Sequence, residues 1–203
     1  MPQSQRKRGR PATIDTDAAM QALVELFRSK GYSAVSLDDL SDATGLSRPS
    51  LYRAFGNKLS MYIGAMDAFG DQVRESAVPA ILTDGPLESA LAGFYDAMLS
   101  IYYRDKEIAP GCLVFGTAPS SADEAEIQAR LEYGVDQLDQ LMRDRILRAA
   151  PDTDSEYVDA AVEISANTLI AFSARAKSGA SKASLRAMGQ RSAKAICALL
   201  DMN

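Results

Sequence analysis

Arg48, Ser50, Tyr52 and Lys58 fall within one short stretch of the chain. An arginine can donate two parallel hydrogen bonds to the major-groove edge of guanine, and a serine hydroxyl can bond a base or a phosphate. A tyrosine or a lysine can hold phosphates, which positions a protein on a duplex without reading sequence. Upstream, Arg6, Lys7, Arg8 and Arg10 all precede the first acid, Asp15. The arginines of Arg8-Gly9-Arg10-Pro11 suit a narrow, A·T-rich minor groove. The chemistry open to these groups is recognition of a polyanion.

The 203-residue chain has a formal charge of −5, unevenly spread. Residues 1–58 hold nine Lys/Arg against six Asp/Glu, and residues 59–203 hold thirteen against twenty-one. A basic head on an acidic body implies that only the head meets nucleic acid. A solubilising basic tail produces the same imbalance, so charge alone leaves both readings open.

Composition excludes much else. The chain has no His, so Ser-His-Asp and Cys-His catalysis, histidine metal sites and histidine pH switches are all excluded. Cys112 and Cys197 cannot form a cysteine-rich zinc site or a disulfide framework. Gly111 to Gly116 followed by Thr117 has the glycine spacing of a phosphate-binding loop but lacks its lysine and a preceding strand. Asp123-Glu124 lies at a helix N-terminus, where acids favour the dipole without a catalytic role. The expectation is a non-enzyme without a cofactor or metal. No apolar run approaches the ~20 residues of a membrane span. A cytoplasmic chain that contacts no membrane is therefore expected.

The elements positioning Arg48 and its neighbours read as helices. Ala19, Leu23, Leu26 and Phe27 follow the 3.6-residue period, and Gly31 closes that helix. Ser36 with Asp39 forms a capping box, Gly45-Leu46 makes a turn, and Ser47 caps a second short helix with Pro49 in its first turn. Two short helices joined by a tight glycine turn form the helix-turn-helix pattern, in which the second helix reads the major groove. An ordinary helical hairpin has the same outline; the basic tail and the polar second helix favour DNA. Downstream, helices carry Leu59 to Val73, Leu87 to Ile101, Ile127 to Ile146, Val158 to Phe172 and Leu185 to Leu199. Ser121 with Glu124, and Thr153 with Glu156, look like further capping boxes. No strand-length segment alternates apolar and polar residues, so the fold class is all-α.

The run Ala22-Leu23-Val24-Glu25-Leu26-Phe27, with Lys30-Gly31-Tyr32, Ser36-Leu37, Leu40, Ala43, Gly45-Leu46-Ser47, Leu51-Tyr52, Phe55 and Lys58, closely resembles the TetR family of bacterial transcriptional regulators. The match runs without gaps from residue 15 to about residue 66. The resemblance implies a basic arm (1–14), an N-terminal three-helix helix-turn-helix domain (15–57) and a C-terminal helical ligand-binding and dimerisation domain (58–203). It places Arg48, Pro49 and Ser50 against bases and Tyr52 and Lys58 on phosphates. Ala54 stands where the family often has a larger polar residue, which leaves Arg53 as a phosphate contact. The motif Arg8-Gly9-Arg10-Pro11 is also similar to an AT-hook core.

Beyond residue 66 the resemblance thins. Pro110-Gly111-Cys112-Leu113 looks like a stretch found in some branches of the family. Phe94, Met98, Tyr102, Cys112, Phe115, Tyr133 and Phe172 are the candidate lining of an apolar cavity with a few hydroxyl handles. The same residue types serve equally as helical core. Cys112 suits a buried structural thiol, with redox sensing as the alternative; Cys197 reads as packing. The resemblance assigns the last two helices to a homodimer. Ala160, Ala161, Ser165, Ala166, Ala171 and Ala174 permit close helix approach, and Leu185, Met188, Ser192, Ile196 and Leu199 form a seam; an intrachain role is the alternative. The expected function is a repressor released from a palindromic double-stranded operator by a small-molecule effector. The alternative is an architectural DNA binder driven by the arm.

Overall fold

Asp15 starts the first helix by accepting the Ala18 amide on its carboxylate at 3.0 Å. The computed structural model describes residues 15–104, 106 and 108–201. In chain order the helices are α1 (Thr16–Ala34), α2 (Leu37–Thr44), α3 (Arg48–Phe55), α4 (Lys58–Ser76), α5 (Val78–Ile81), α6 (Leu87–Tyr103), α7 (Leu113–Thr117), a 3-10 turn (Ala118–Ser121), α8 (Ala125–Ala149), α9 (Ser155–Lys177) and α10 (Lys182–Leu200). No strand occurs among the described residues, so the all-α class is observed. None of the described helices is long and apolar enough to cross a membrane.

The first three helices form the head, and local chemistry sets their boundaries. The Ser36 amide donates to Asp39 at 2.9 Å, and the Asp39 amide returns a bond to the Ser36 hydroxyl at 3.1 Å. This is the reciprocal box read from the sequence. Gly45 ends α2 in the left-handed region, at φ 68°, a conformation a side chain disfavours. Leu23, Val24, Phe27, Leu40 and Leu51 then close on Met61 and Tyr62 of α4, all buried. The Phe27 and Tyr62 rings meet edge to face at 5.0 Å.

In the body, α10 packs against α6 and α9, while α8 packs against α9. Three expectations need correction. Ser121 does not cap α8; it lies in the 3-10 turn, where its hydroxyl pairs with Ser33 at 3.1 Å. The helix expected from Thr153 begins at Ser155. Leu185 and Ile196, expected in an intersubunit seam, are buried inside this chain against the rest of the core. The large apolar side chains that α9 leaves exposed are Ile164 and Ile170. Cys197 is half-buried and packs against the core, as expected.

Asp39 supports a pH test of the head. The hydrogen bond from Lys30, followed by those from the Ser36 amide and hydroxyl, holds its carboxyl well below the usual carboxylate range. A depressed folded value means that this contribution is complete above the unfolded value, near pH ~3.9, and is lost as pH falls through the folded value. The Ser36 amide resonance should therefore stay unchanged as pH passes through 4 and move only well below it; a midpoint near 4 would remove the box from acid stability. Ser36→Ala should cost about 1 kcal/mol in chemical denaturation.

Candidate functional site

On α3, Leu51 is the inward anchor, and Arg48, Pro49, Tyr52, Arg53 and Ala54 face solvent. Ser47 caps the helix, its hydroxyl lying 3.0 Å from that of the half-buried Ser50. Apart from Lys58, which begins α4, the expected base-contacting and phosphate-contacting groups thus lie on one short helix, all exposed except the half-buried Ser50. The Arg48 guanidinium donates to Asp38 of α2, and that bond raises its pKa further. Both partners are solvent-exposed, so the pair is weak enough to exchange for another anion.

Lys58 is less open than Tyr52 or Arg53. Its ammonium lies 4.7 Å from the centre of the Tyr32 ring, and burial pulls its pKa down. Asn57 caps α4 beside it, accepting the Ser60 amide at 2.8 Å. That cap was missed in the sequence, although an asparagine directly before a helical run is a recognisable signal. Arg8 and Arg10 lie outside the described residues.

The body holds a partly open cavity of about 540 Å³. Phe94 and Met98 of α6, Cys112, Phe115 of α7 and Tyr133 of α8 line it. The other two candidates do not: Tyr102 and Phe172 are completely buried in the packed core, and Phe172 stacks edge to face on Tyr95 at 5.6 Å. Sequence reasoning missed the contribution of α4, which supplies Met66, Phe69, Gly70 and Val73. These residues follow the ordinary helical core period, and nothing in such a pattern separates a cavity wall from a packed one. Asp67 and Arg130 also line the cavity and form an ion pair at 3.2 Å, both partly exposed, which gives the apolar space a polar edge.

A wider crevice of about 700 Å³ lies between the loop at Thr83 to Pro86, Arg145, Arg148 and the end of α10. None of its walls comes from α1 to α4, so it has no direct path to the α3 surface.

Cys112 caps α7, and its sulfur accepts the Phe115 amide at 3.4 Å. Burial pushes its pKa up; the bond from the Phe115 amide and the nearby Tyr102 hydroxyl, with smaller help from the Val114 amide and the Arg28 charge, only partly oppose this. The group is a neutral thiol at neutral pH and therefore a poor nucleophile. No group of three or more acidic or cysteine side chains placed to hold a metal occurs among the described residues.

This geometry has parallels in known proteins. Residues 19–64 match the family model described as "Bacterial regulatory proteins, tetR family". Over 125 residues the chain is 33% identical to the HTH-type transcriptional repressor ComR of Escherichia coli; the match spans 59% of each chain. Over 196 residues it is 26% identical to the repressor BdcR of the same organism, covering 95% of this chain and 94% of BdcR. Among solved structures it is similar to a cysteine-substituted TetR family regulator CifR complexed with 26-bp operator DNA. There the TM-score is 0.77 at 26% identity, over 92% of this chain and 99% of the other.

The contrast between the two cysteines is testable. With iodoacetamide at pH 8, Cys197 should be alkylated at least ~10-fold faster than the buried Cys112, as followed by peptide mass spectrometry. Equal rates would mean that solvent reaches the cavity wall freely.

Proposed function

This chain belongs to the TetR family of bacterial transcriptional regulators, and from that premise we propose that it is a homodimeric repressor released from a palindromic operator by a small-molecule effector. The observation that carries this reading is the course of α4. Its first turns pack Met61 and Tyr62 into the head core, while Met66, Phe69, Gly70 and Val73 on its later turns wall the cavity. A ligand in the cavity would therefore press on the helix that seats the head.

In this reading residues 15–57 form the DNA-binding domain, 58–203 the ligand-binding and dimerisation domain, and 1–14 an arm that adds Arg8 and Arg10 in the minor groove. Arg48, Pro49 and Ser50 meet bases. Tyr52 and Arg53 meet phosphates, joined by Lys58 once it leaves the Tyr32 ring. Arg48 would exchange Asp38 for a guanine edge. The homodimer would form across α9 and α10, with the exposed Ile164 and Ile170 at its centre and small residues such as Ala160 and Ala174 beside them. Its two recognition helices would enter successive major grooves about 34–36 Å apart or somewhat more.

The effector would be small and mostly apolar, seated on Phe69, Phe94, Met98 and Phe115, with one polar end at Asp67 and Arg130. It must bind more tightly to the state with mismatched head spacing, since equal affinity for both states shifts nothing. The repressors ComR and BdcR, and CifR on its operator, favour this assignment.

Selection of random duplex DNA by the purified protein at ~150 mM salt, where non-specific binding is weak, tests the reading. A palindrome is expected; recovery of A·T-rich DNA without symmetry would instead favour an architectural binder working through the arm. On the selected operator, Arg48→Ala should cost ~1–3 kcal/mol and relax preference at one base position. Equal loss on every sequence would remove its base-reading role.

A further inference from the structure

Arg28 has no exposed surface, although it lies on α1 of the head. Its side chain crosses into the body, where Nε and Nη2 donate to the Gly111 carbonyl at 3.0 and 2.8 Å. Nη2 also donates to the carbonyls of Ile101 and Tyr102 in the last turn of α6, at 3.2 and 3.1 Å. The partial negative charge of a helix C-terminus suits a cation there. Nη1 donates to Glu25 at 2.7 Å, and Glu25 in turn holds Lys106 at 2.6 Å and Arg104 at 3.6 Å. The guanidinium carbon lies 5.2 Å from the centre of the Phe69 ring.

One of these partners walls the cavity and another adjoins it. Phe69 is one of its walls, and Gly111 directly precedes Cys112, another wall. An occupant touching Phe69 therefore touches what holds Arg28, and one touching Cys112 presses on the residue next to its Gly111 acceptor. The Gly111 carbonyl has little freedom of its own. Gly111 sits at φ 76°, and a Cβ there would come within 2.7 Å of the Ser173 hydroxyl and 2.9 Å of its carbonyl oxygen. The adjoining Cys112 amide donates to that hydroxyl at 3.0 Å. The guanidinium fork is planar, with its donors in fixed directions. A displacement of the 111–112 segment or of the Phe69 ring must then carry α1 along or break charge-assisted bonds in a dry site. A second buried tie, between the Tyr62 and Thr117 hydroxyls at 2.7 Å, joins α4 to α7 beside it.

We propose that Arg28 is a positioning residue that transmits occupancy of the cavity to the DNA-binding head through α1, in parallel with α4. The proposal rests on the reading of the cavity as an effector site. Arg28 does not itself line the cavity, so its replacement removes no wall residue.

The test uses the full chain with 1-anilinonaphthalene-8-sulfonate as an apolar probe. Fluorescence reports its binding, and hydrogen exchange by mass spectrometry follows residues 16–76. Leu138 of α8 also lines the cavity, and Leu138→Trp, which fills it, should abolish binding. At saturation the probe should change amide exchange in α1 to α3 of the parent protein at least ~3-fold. Arg28→Lys keeps the charge but cannot span the same acceptors. It should bind the probe with unchanged affinity and lose at least half of that exchange response, on a logarithmic scale, while the response in α4 persists. Phe69→Leu, compared at equal probe occupancy, should lose response in the same α1 segment, which keeps the test open if Arg28→Lys is poorly folded. An undiminished α1 response in both variants would overturn the role of Arg28. Probe binding that survives Leu138→Trp would instead overturn the cavity reading and the proposal with it.

Discussion

A guanidinium with no exposed surface can stay in a protein only where carbonyls and carboxylates replace its water, and that requirement governs the junction between head and body. Arg28 obtains its replacements from three separate places: the end of α6, the turn at Gly111, and Glu25 on its own helix. Removing one side of a buried ionic arrangement costs about 3–5 kcal/mol, a large share of the 5–15 kcal/mol that holds an ordinary domain together. The α6 terminus, the 109–112 turn and α1 therefore have to move as one unit.

The head itself is built by short-range rules. Caps at Asp15, Ser36 and Ser47 satisfy the first amides of α1, α2 and α3, and Gly45 turns α2 toward α3. Burial of Leu23, Phe27, Leu40 and Leu51 then orients the three helices, of which α2 and α3, with 8 residues each, are too short to be stable alone. The α3 surface is consequently rigid before it meets anything, while its polar side chains remain exchangeable. Arg48 rests on Asp38 and Lys58 on the Tyr32 ring, both weak arrangements at a wet surface. A firm scaffold under loosely engaged side chains suits a surface that must bind and let go.

The body follows a different logic. Tyr95, Phe172 and their neighbours fill the space between α6, α9 and α10 tightly enough that a methyl group at Gly189 would push on them, its Cβ position lying 3.0 Å from the Phe172 ring. Between α4, α6, α7 and α8 the packing is left incomplete, and the cavity results. Helical spacing assigns Phe94, Met98, Tyr102 and Phe172 alike to inward faces. Which of them meet open space depends on the distances between helices. For that reason five of the seven residues expected at a pocket line it and two do not. The seam expected on α10 illustrates the same point: Leu185 and Ile196 have the period of an intersubunit stripe, but α6 lies close enough to cover them.

By itself the sequence determined the all-α class, the helix-turn-helix with its caps and turn, and the outward position of Arg48, Pro49, Tyr52 and Arg53. Each of these depends on residues within a few positions of one another, through hydrogen bonds, φ preferences and the 3.6-residue period. The exceptions are equally local: Asn57 caps α4, whereas Ser121 and Thr153 have the spacing of caps but form none. The tertiary structure alone decided that Arg28 is buried, that α4 walls the cavity, and that Tyr102 and Phe172 stand apart from it. Burial of Arg28 requires acceptors some 70 to 80 residues away, in α6 and at Gly111, and a cavity is a gap between elements. Such properties belong to the placement of helices against one another, which no local pattern of residue types encodes.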